Sequence, residues 1–265
     1  MRLYLTVAWA SVRRHATYRA AAFGGAFANI VFGFIRAYVL IALWQTKPEI
    51  GGYDVAAAVT FCFLTQGLIG PIAVFNGGLP EVAQRVRSGD IALDLYRPAD
   101  FQGWLLVTDL GRAGPDFVYR SIPPLLAGAL VFDLRLPDSP AVWLVLPVTA
   151  VLAVVVSFAL RYLVMLAATL LHDERGVSSA ATILALFFSG IMIPLTLFPV
   201  WLRPIAELSP WAATIQVPAD IFLGRYHGIA LLAALASQAI WALALLGIGR
   251  MLTARVRRRV VVQGG

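Results

Sequence analysis

In this chain of 265 residues 60% are hydrophobic and only 13% charged, against roughly 45–50% and about 25% in soluble domains, so there is too little polar surface for a water-soluble fold of this size. Lipid is the expected solvent. The net charge of +7 does not point to nucleic acid, because the basic residues flank apolar stretches in the pattern that orients membrane helices.

The first nineteen residues place Leu5, Ala8, Trp9 and Val12 on one helical face, with Arg2, Arg13 and Arg14 able to reach lipid headgroups. They read either as an interfacial helix or as a basic tail that sets topology. No short apolar core with a small-residue cleavage site is present, so a cleavable signal is not expected. About 20 apolar residues are needed to cross the hydrocarbon core. Six stretches qualify, at 20–44, 55–76, 103–132, 141–171, 177–200 and 228–249. The chain is thus expected to be an all-α membrane protein with six transmembrane helices in a single domain over residues 1–265.

Arginine and lysine orient such a bundle. With the N-terminus cytoplasmic, only Lys47, Arg135, Arg203 and Arg225 fall in external segments, and Arg36, Arg112, Arg120 and Arg161 fall inside spans. The other thirteen of the 21 are cytoplasmic, as are both termini.

Between the second and third spans, Pro80 suits a first helical position and Gly89 the residue just past a helix end. Glu81 lies in the first turn with Arg85 four residues on, which favours a short charged helix. That helix could dock a soluble partner; a solvated loop rich in positive charge is the alternative.

On the third span, Asp109, Arg112, Asp116 and Arg120 are spaced three, four and four apart and fall along one stripe with alternating sign. Charges at membrane depth are costly and mark function by default. The stripe can be a structural ladder at a helix or subunit interface, or a path for protons or substrate. Arg36 and Arg161 have no partner nearby on their own helices, so each must face a cavity, another chain or a carboxylate from another span. The external stretch 201–227 carries Trp201, Ile205, Trp211, Ile221 and other apolar residues broken by Pro204, Pro210 and Pro218. Two short helices dipping into the outer leaflet would account for it, as would an amphipathic loop lying on the surface.

The missing motifs matter as much. The sole lysine, Lys47, sits between Thr46 and Pro48, so no phosphate-binding loop exists and ATP chemistry would have to come from another polypeptide. His15, His172 and His227 form no zinc motif. Cys62 is the only cysteine, which excludes an intramolecular disulfide framework and a multi-cysteine metal site. No Gly-x-Ser-x-Gly elbow is present, so neither a metal nor a catalytic residue is expected.

Three stretches together carry a resemblance: the N-terminal segment with Arg13 and Arg14, the run Arg87-Ser88-Gly89-Asp90-Ile91 leading to Leu95-Tyr96-Arg97-Pro98, and a stretch beginning Ile193-Pro194-Leu195. That last stretch continues through Phe198-Pro199-Val200-Trp201-Leu202 to Pro210-Trp211, Pro218 and Gly224. Over nearly its whole length the chain resembles the permease subunits of bacterial type-2 ABC exporters, in the six-span group of about 260 residues. The resemblance implies an N-terminal elbow helix, a coupling helix between spans 2 and 3, and a re-entrant helical pair between spans 5 and 6, in the bacterial inner membrane. It implies that Pro80, Glu81, Gln84, Arg85, Arg87, Ser88, Gly89 and Asp90 meet a cytoplasmic ABC ATPase. It also implies that Pro194, Phe198, Pro199, Trp201, Pro210 and Trp211 belong to an external gate. Two ATPase subunits holding ATP and Mg, and a second permease, identical or homologous, are the implied partners. A self-sufficient secondary transporter or channel using the span-3 stripe is the competing reading. A membrane-embedded enzyme comes third.

Overall fold

The computed structural model describes residues 2–17, 19–46, 50–76, 79, 100–171 and 173–259. Among them all regular structure is helical. In chain order the helices are α1 (Arg2–Thr17), α2 (Arg19–Thr46), α3 (Val55–Ile72), α4 (Phe101–Asp116), α5 (Ile122–Val131), α6 (Pro140–Leu171), α7 (Glu174–Phe188), α8 (Arg203–Glu207), α9 (Gln216–Phe222) and α10 (Ile229–Arg259). Four of them are long and apolar enough to cross a membrane: α2, α3, α6 and α10.

Helix α3 sits at the centre. Ala57, Phe61, Cys62 and Phe63 are buried against Ala37, Leu40 and Trp44 of α2 and Ala219 and Leu223 beyond. Its start is well defined: the Asp54 carboxylate caps the Ala57 amide at 2.8 Å and also meets Arg135. The Trp44 indole donates to the Tyr53 carbonyl at 2.7 Å, which ties α2 to the turn before α3. A cap of this kind contributes about 1 kcal/mol. The half-exposed pair with Arg135 adds less. Asp54→Ala should therefore lower unfolding stability by about 1 kcal/mol, measured on protein in a fixed detergent. Asp54→Asn should recover most of it; an equal loss in both variants would show that the charge, not the cap, matters.

The third expected span is one helical rod in two pieces. α4 passes through a π turn, Phe117–Ser121, into α5. The cause is local: Pro123 and Pro124 have no amide hydrogen to give to the carbonyls of Tyr119 and Arg120, so the ladder widens by one residue. Ser121 then donates to the Gly67 carbonyl at 2.7 Å and fixes the widened turn to α3.

The fifth expected span ends early. α7 stops at Phe188 after 15 residues, about 22 Å of helix, and the stretch up to residue 200 is not a continuation of it. Hydropathy carries through here because the turn is itself apolar. Gly190 adopts φ 85°, Pro194 and Pro199 cannot donate, and the Gln216 backbone N–H donates to the Ser189 carbonyl at 3.0 Å across the turn. The chain therefore folds back, and a one-turn helix at Leu195–Leu197, α8, a further turn at Ala212–Thr214 and α9 follow as short pieces. Ala212, Ala213, Ile215, Val217, Ala219 and Ile221 of this stretch are buried, between α3, α6 and α10.

Helices α6 and α10 pair along their length. Thr149 donates to Gln238 at 2.8 Å, and the Tyr162 and Thr253 hydroxyls lie 2.6 Å apart. α10 runs ten residues past the expected end of the sixth span, reaching Arg259.

Candidate functional site

The charged stripe is assembled by three helices. On α4, Arg112 lies between two carboxylates, its Nε 2.9 Å from Asp109 and its Nη1 2.8 Å from Asp116. Arg120, in the π turn, has its Nε 3.5 Å from Asp116. These contacts follow from the three- and four-residue spacing. The remaining partner comes from another helix: Arg161 of α6 places Nη2 2.6 Å from the Asp109 carboxylate, with both side chains only 8% exposed.

The ladder also holds the end of α3. The last carbonyls of a helix have no amide partner within it and carry its partial negative charge. Arg112 donates to the carbonyls of Gly70 at 3.0 Å and Pro71 at 2.8 Å, and Ser157 of α6 donates to that of Ile72 at 2.5 Å. Arg161 in turn lies 3.4 Å from the Ser157 hydroxyl. The C-terminus of α3, the middle of α4 and the middle of α6 thus form one polar joint inside apolar surroundings. A small cavity of about 50 Å³ opens beside it, lined by Ser157, Arg161, Ala181, Ser189, Trp211 and Thr214 among others.

Arg36 of α2 has a different environment. Its guanidinium donates to the Met192 carbonyl at 3.0 Å and lies 3.5 Å from the Thr65 hydroxyl. No carboxylate pairs with it among the described residues. It holds the fold-back after α7 against α2 and α3.

At the opposite end of α3 lies a second polar cluster. Gln216 is fixed in orientation, because its carbonyl oxygen accepts from the Leu195 amide at 3.0 Å. Its NH₂ group then donates to the Tyr53 hydroxyl at 3.0 Å and to the Asp220 carboxylate at 2.8 Å. The Tyr53 hydroxyl in turn donates to the other Asp220 carboxylate oxygen at 2.5 Å. Arg225 closes the cluster, 3.6 Å from Asp220 and 4.2 Å over the Tyr53 ring. Burial pushes the Asp220 carboxyl above its usual range, while the hydrogen bonds from Gln216 and Tyr53 act in the opposite sense. Burial likewise raises the Tyr53 hydroxyl, and the neighbouring Asp220 adds to the effect. Both oxygens of the carboxylate have donors, and so the cluster can stand buried.

Of the residues expected to form a gate, Pro194 and Phe198 are buried while Pro199 and Trp201 are exposed. The Phe198 ring lies 5.0 Å from Phe187, and Trp211 6.0 Å from Phe188, so both contacts join the fold-back to the end of α7. Pro210, partly buried, immediately precedes Trp211. Residues Pro80, Glu81, Gln84, Arg85, Arg87, Ser88, Gly89 and Asp90, and the run to Pro98, lie outside the described residues. The segment's edges are described: Leu79 packs with Phe101, Phe158 and Tyr162.

Tyr53, Gln216, Asp220 and Gln238 were not among the expected site residues. Gln216 and Asp220, four apart in an otherwise apolar stretch, did carry a signal, since a buried acid needs donors. Tyr53 carried none. Among the described residues no group of three or more His, Cys, Asp or Glu side chains could hold a metal ion.

A sequence model of the family described as ABC-2 family transporter protein matches residues 30–264. No curated protein matches the chain.

Proposed function

The chain belongs to the ABC-2 transporter family, and from that premise we propose that it is the membrane-spanning permease of an ATP-driven exporter, coupled to a separate cytoplasmic ATPase. The family match over residues 30–264 carries this reading. The absence of a phosphate-binding loop, with Lys47 the sole lysine, supports it. In this reading the bundle crosses the membrane six times, by α2, α3, the α4–α5 rod, α6, α7 and α10, with both termini cytoplasmic in a bacterial inner membrane. Helix α1 is the elbow. Its Ser11 packs on α4, donating to the Thr108 carbonyl at 2.7 Å, while Leu5 and Trp9 stay exposed and suit lipid. The short pieces from Leu195 to Phe222 are the re-entrant external gate.

The joint at the end of α3 suits transmission. The segment 80–90 follows α3 and precedes α4, and the ladder clamps those two helices to α6. A push delivered to the segment by two ATPase subunits, as they close on ATP and Mg, reaches α3, α4 and α6 together. The cavity beside Arg161 and Trp211 then lies between the joint and the gate. A second permease, identical or homologous, completes the pathway. The exposed apolar faces of α2 and α7, including Phe27, Phe32, Ile183 and Phe187, are available to it or to lipid. Asp109 and Asp116 each face two guanidiniums, which favours a structural joint over a proton relay and weakens the reading of a self-sufficient secondary transporter.

The purified chain alone should hydrolyse no ATP, and co-expression with a cognate ABC ATPase should yield a stable complex. In that complex Glu81→Lys or Arg85→Glu should leave ATP turnover running while transport into vesicles falls. Full coupling in both variants would remove the segment 80–90 from the mechanism. Proton-driven flux by the chain alone in liposomes would overturn the exporter reading itself.

A further inference from the structure

The ladder does not balance. Among the described residues three guanidiniums, Arg112, Arg120 and Arg161, share two carboxylates, Asp109 and Asp116, which leaves one positive charge in excess. Geometry locates the excess. Arg161 has Asp109, and Arg112 has both acids and the α3 carbonyls. Among the described residues Arg120 has only Asp116, at 3.5 Å, and its Nε is buried without a hydrogen bond.

Its surroundings are built to hold it there. A Cβ at Gly70 would come within 2.5 Å of the Arg120 side chain, and one at Gly25 within 3.4 Å of its guanidinium. The two glycines thus form a slot that a larger residue would fill. The slot opens into a cavity of about 370 Å³, lined among others by Arg112, Asp116, Arg120, Asn76, Ile69 and Phe75. Its depth follows from α2. Gly25 lies 19 residues before Trp44, about 28 Å along a helix, where the hydrocarbon core is about 30 Å thick. With Trp44, near the end of α2, set at the far interface, the cavity falls at headgroup level in the leaflet on the α1 side. The exposed ring of Phe75 lines the cavity and offers apolar surface to that leaflet.

A guanidinium that shares one carboxylate with Arg112 at that depth calls for a further anion with several acceptor oxygens, and a forked donor set matches phosphate. We propose that this cavity is a phosphate-binding site occupied by the headgroup of a membrane phospholipid, with Arg120 as the principal contact. The inference rests on the ladder and the cavity alone and stands whether or not the chain couples to an ATPase.

The test uses the full chain in nanodiscs, with native mass spectrometry for retained lipid and thermal unfolding for stabilisation. Phosphatidylglycerol should be retained through delipidation and should raise the unfolding temperature. Diacylglycerol, which lacks the phosphate, should do neither. Arg120→Gln should weaken retention about tenfold or more, the loss of one charge-assisted contact. Asn76→Asp, at an exposed position on the lining, should weaken it by repulsion and guards against misfolding of the first variant. Arg175→Gln, on the exposed start of α7, should leave it unchanged. Equal stabilisation by diacylglycerol, or undiminished retention in both cavity variants, would overturn the proposal. Stabilisation by inorganic phosphate matching that of the lipid would overturn the lipid as occupant in favour of a soluble phosphate.

Discussion

Asp109→Ala is expected to lower the stability of the bundle by about 3–5 kcal/mol, the cost of leaving a buried charge without its partner. Arg161 is 8% exposed, and its guanidinium depends on Asp109 at 2.6 Å. The neighbouring Ser157 hydroxyl at 3.4 Å cannot neutralise it. The converse change is milder in expectation. Arg161→Gln leaves Asp109 still paired with Arg112 at 2.9 Å. The double variant Asp109→Ala with Arg161→Gln removes both charges and should recover part of the loss, giving a coupling energy of about 1 kcal/mol or more. Unfolding of the four proteins in one detergent measures the cycle. Additive losses would mean that the two side chains do not act as a pair, and that the joint at the end of α3 is held by Arg112 and Ser157 alone.

The second large effect is expected at Gln216. Gln216→Leu removes the acceptor for the buried Leu195 amide and the donor to both Tyr53 and Asp220. Three hydrogen bonds at about 0.5–1.5 kcal/mol each suggest a loss of roughly 2–4 kcal/mol. The loss should be local before it is global, so amide exchange should rise first around residues 189–195. Gln216→Glu offers a sharper comparison. It keeps the acceptor for Leu195 but sets a second carboxylate beside Asp220, and like charges disfavour ionisation. Its deficit should shrink as pH falls and the added carboxyl protonates, whereas the Gln216→Leu deficit should not. A pH-independent deficit in the glutamate variant would show that charge is not what Gln216 manages. If transport fails in Gln216→Leu while the protein stays folded, the fold-back belongs to the working pathway.

The class of this protein was legible in its sequence because hydropathy is a local property. The apolar stretches at 20–44 and 141–171 became α2 and α6 within a few residues, since a run of that length has one stable form in lipid. The pairing of Asp109, Arg112, Asp116 and Arg120 was also legible, because helical spacing alone brings residues three and four apart together. What spacing could not supply was any contact between distant parts of the chain. Arg161 meets Asp109 across 52 positions, and Tyr53 meets Asp220 across 167. The early end of α7 escaped for a related reason: an apolar turn and an apolar helix have the same hydropathy. Only the Gln216 amide, arriving from the far side of the fold-back, satisfies the Leu195 amide and makes the turn stable. The sequence by itself determined that this chain lives in lipid as a bundle of helices with a charged stripe on one of them. The tertiary structure decided which charges are shared, which helix end they clamp, and that Arg120 is left over, because those outcomes depend on distances between helices that no local pattern encodes.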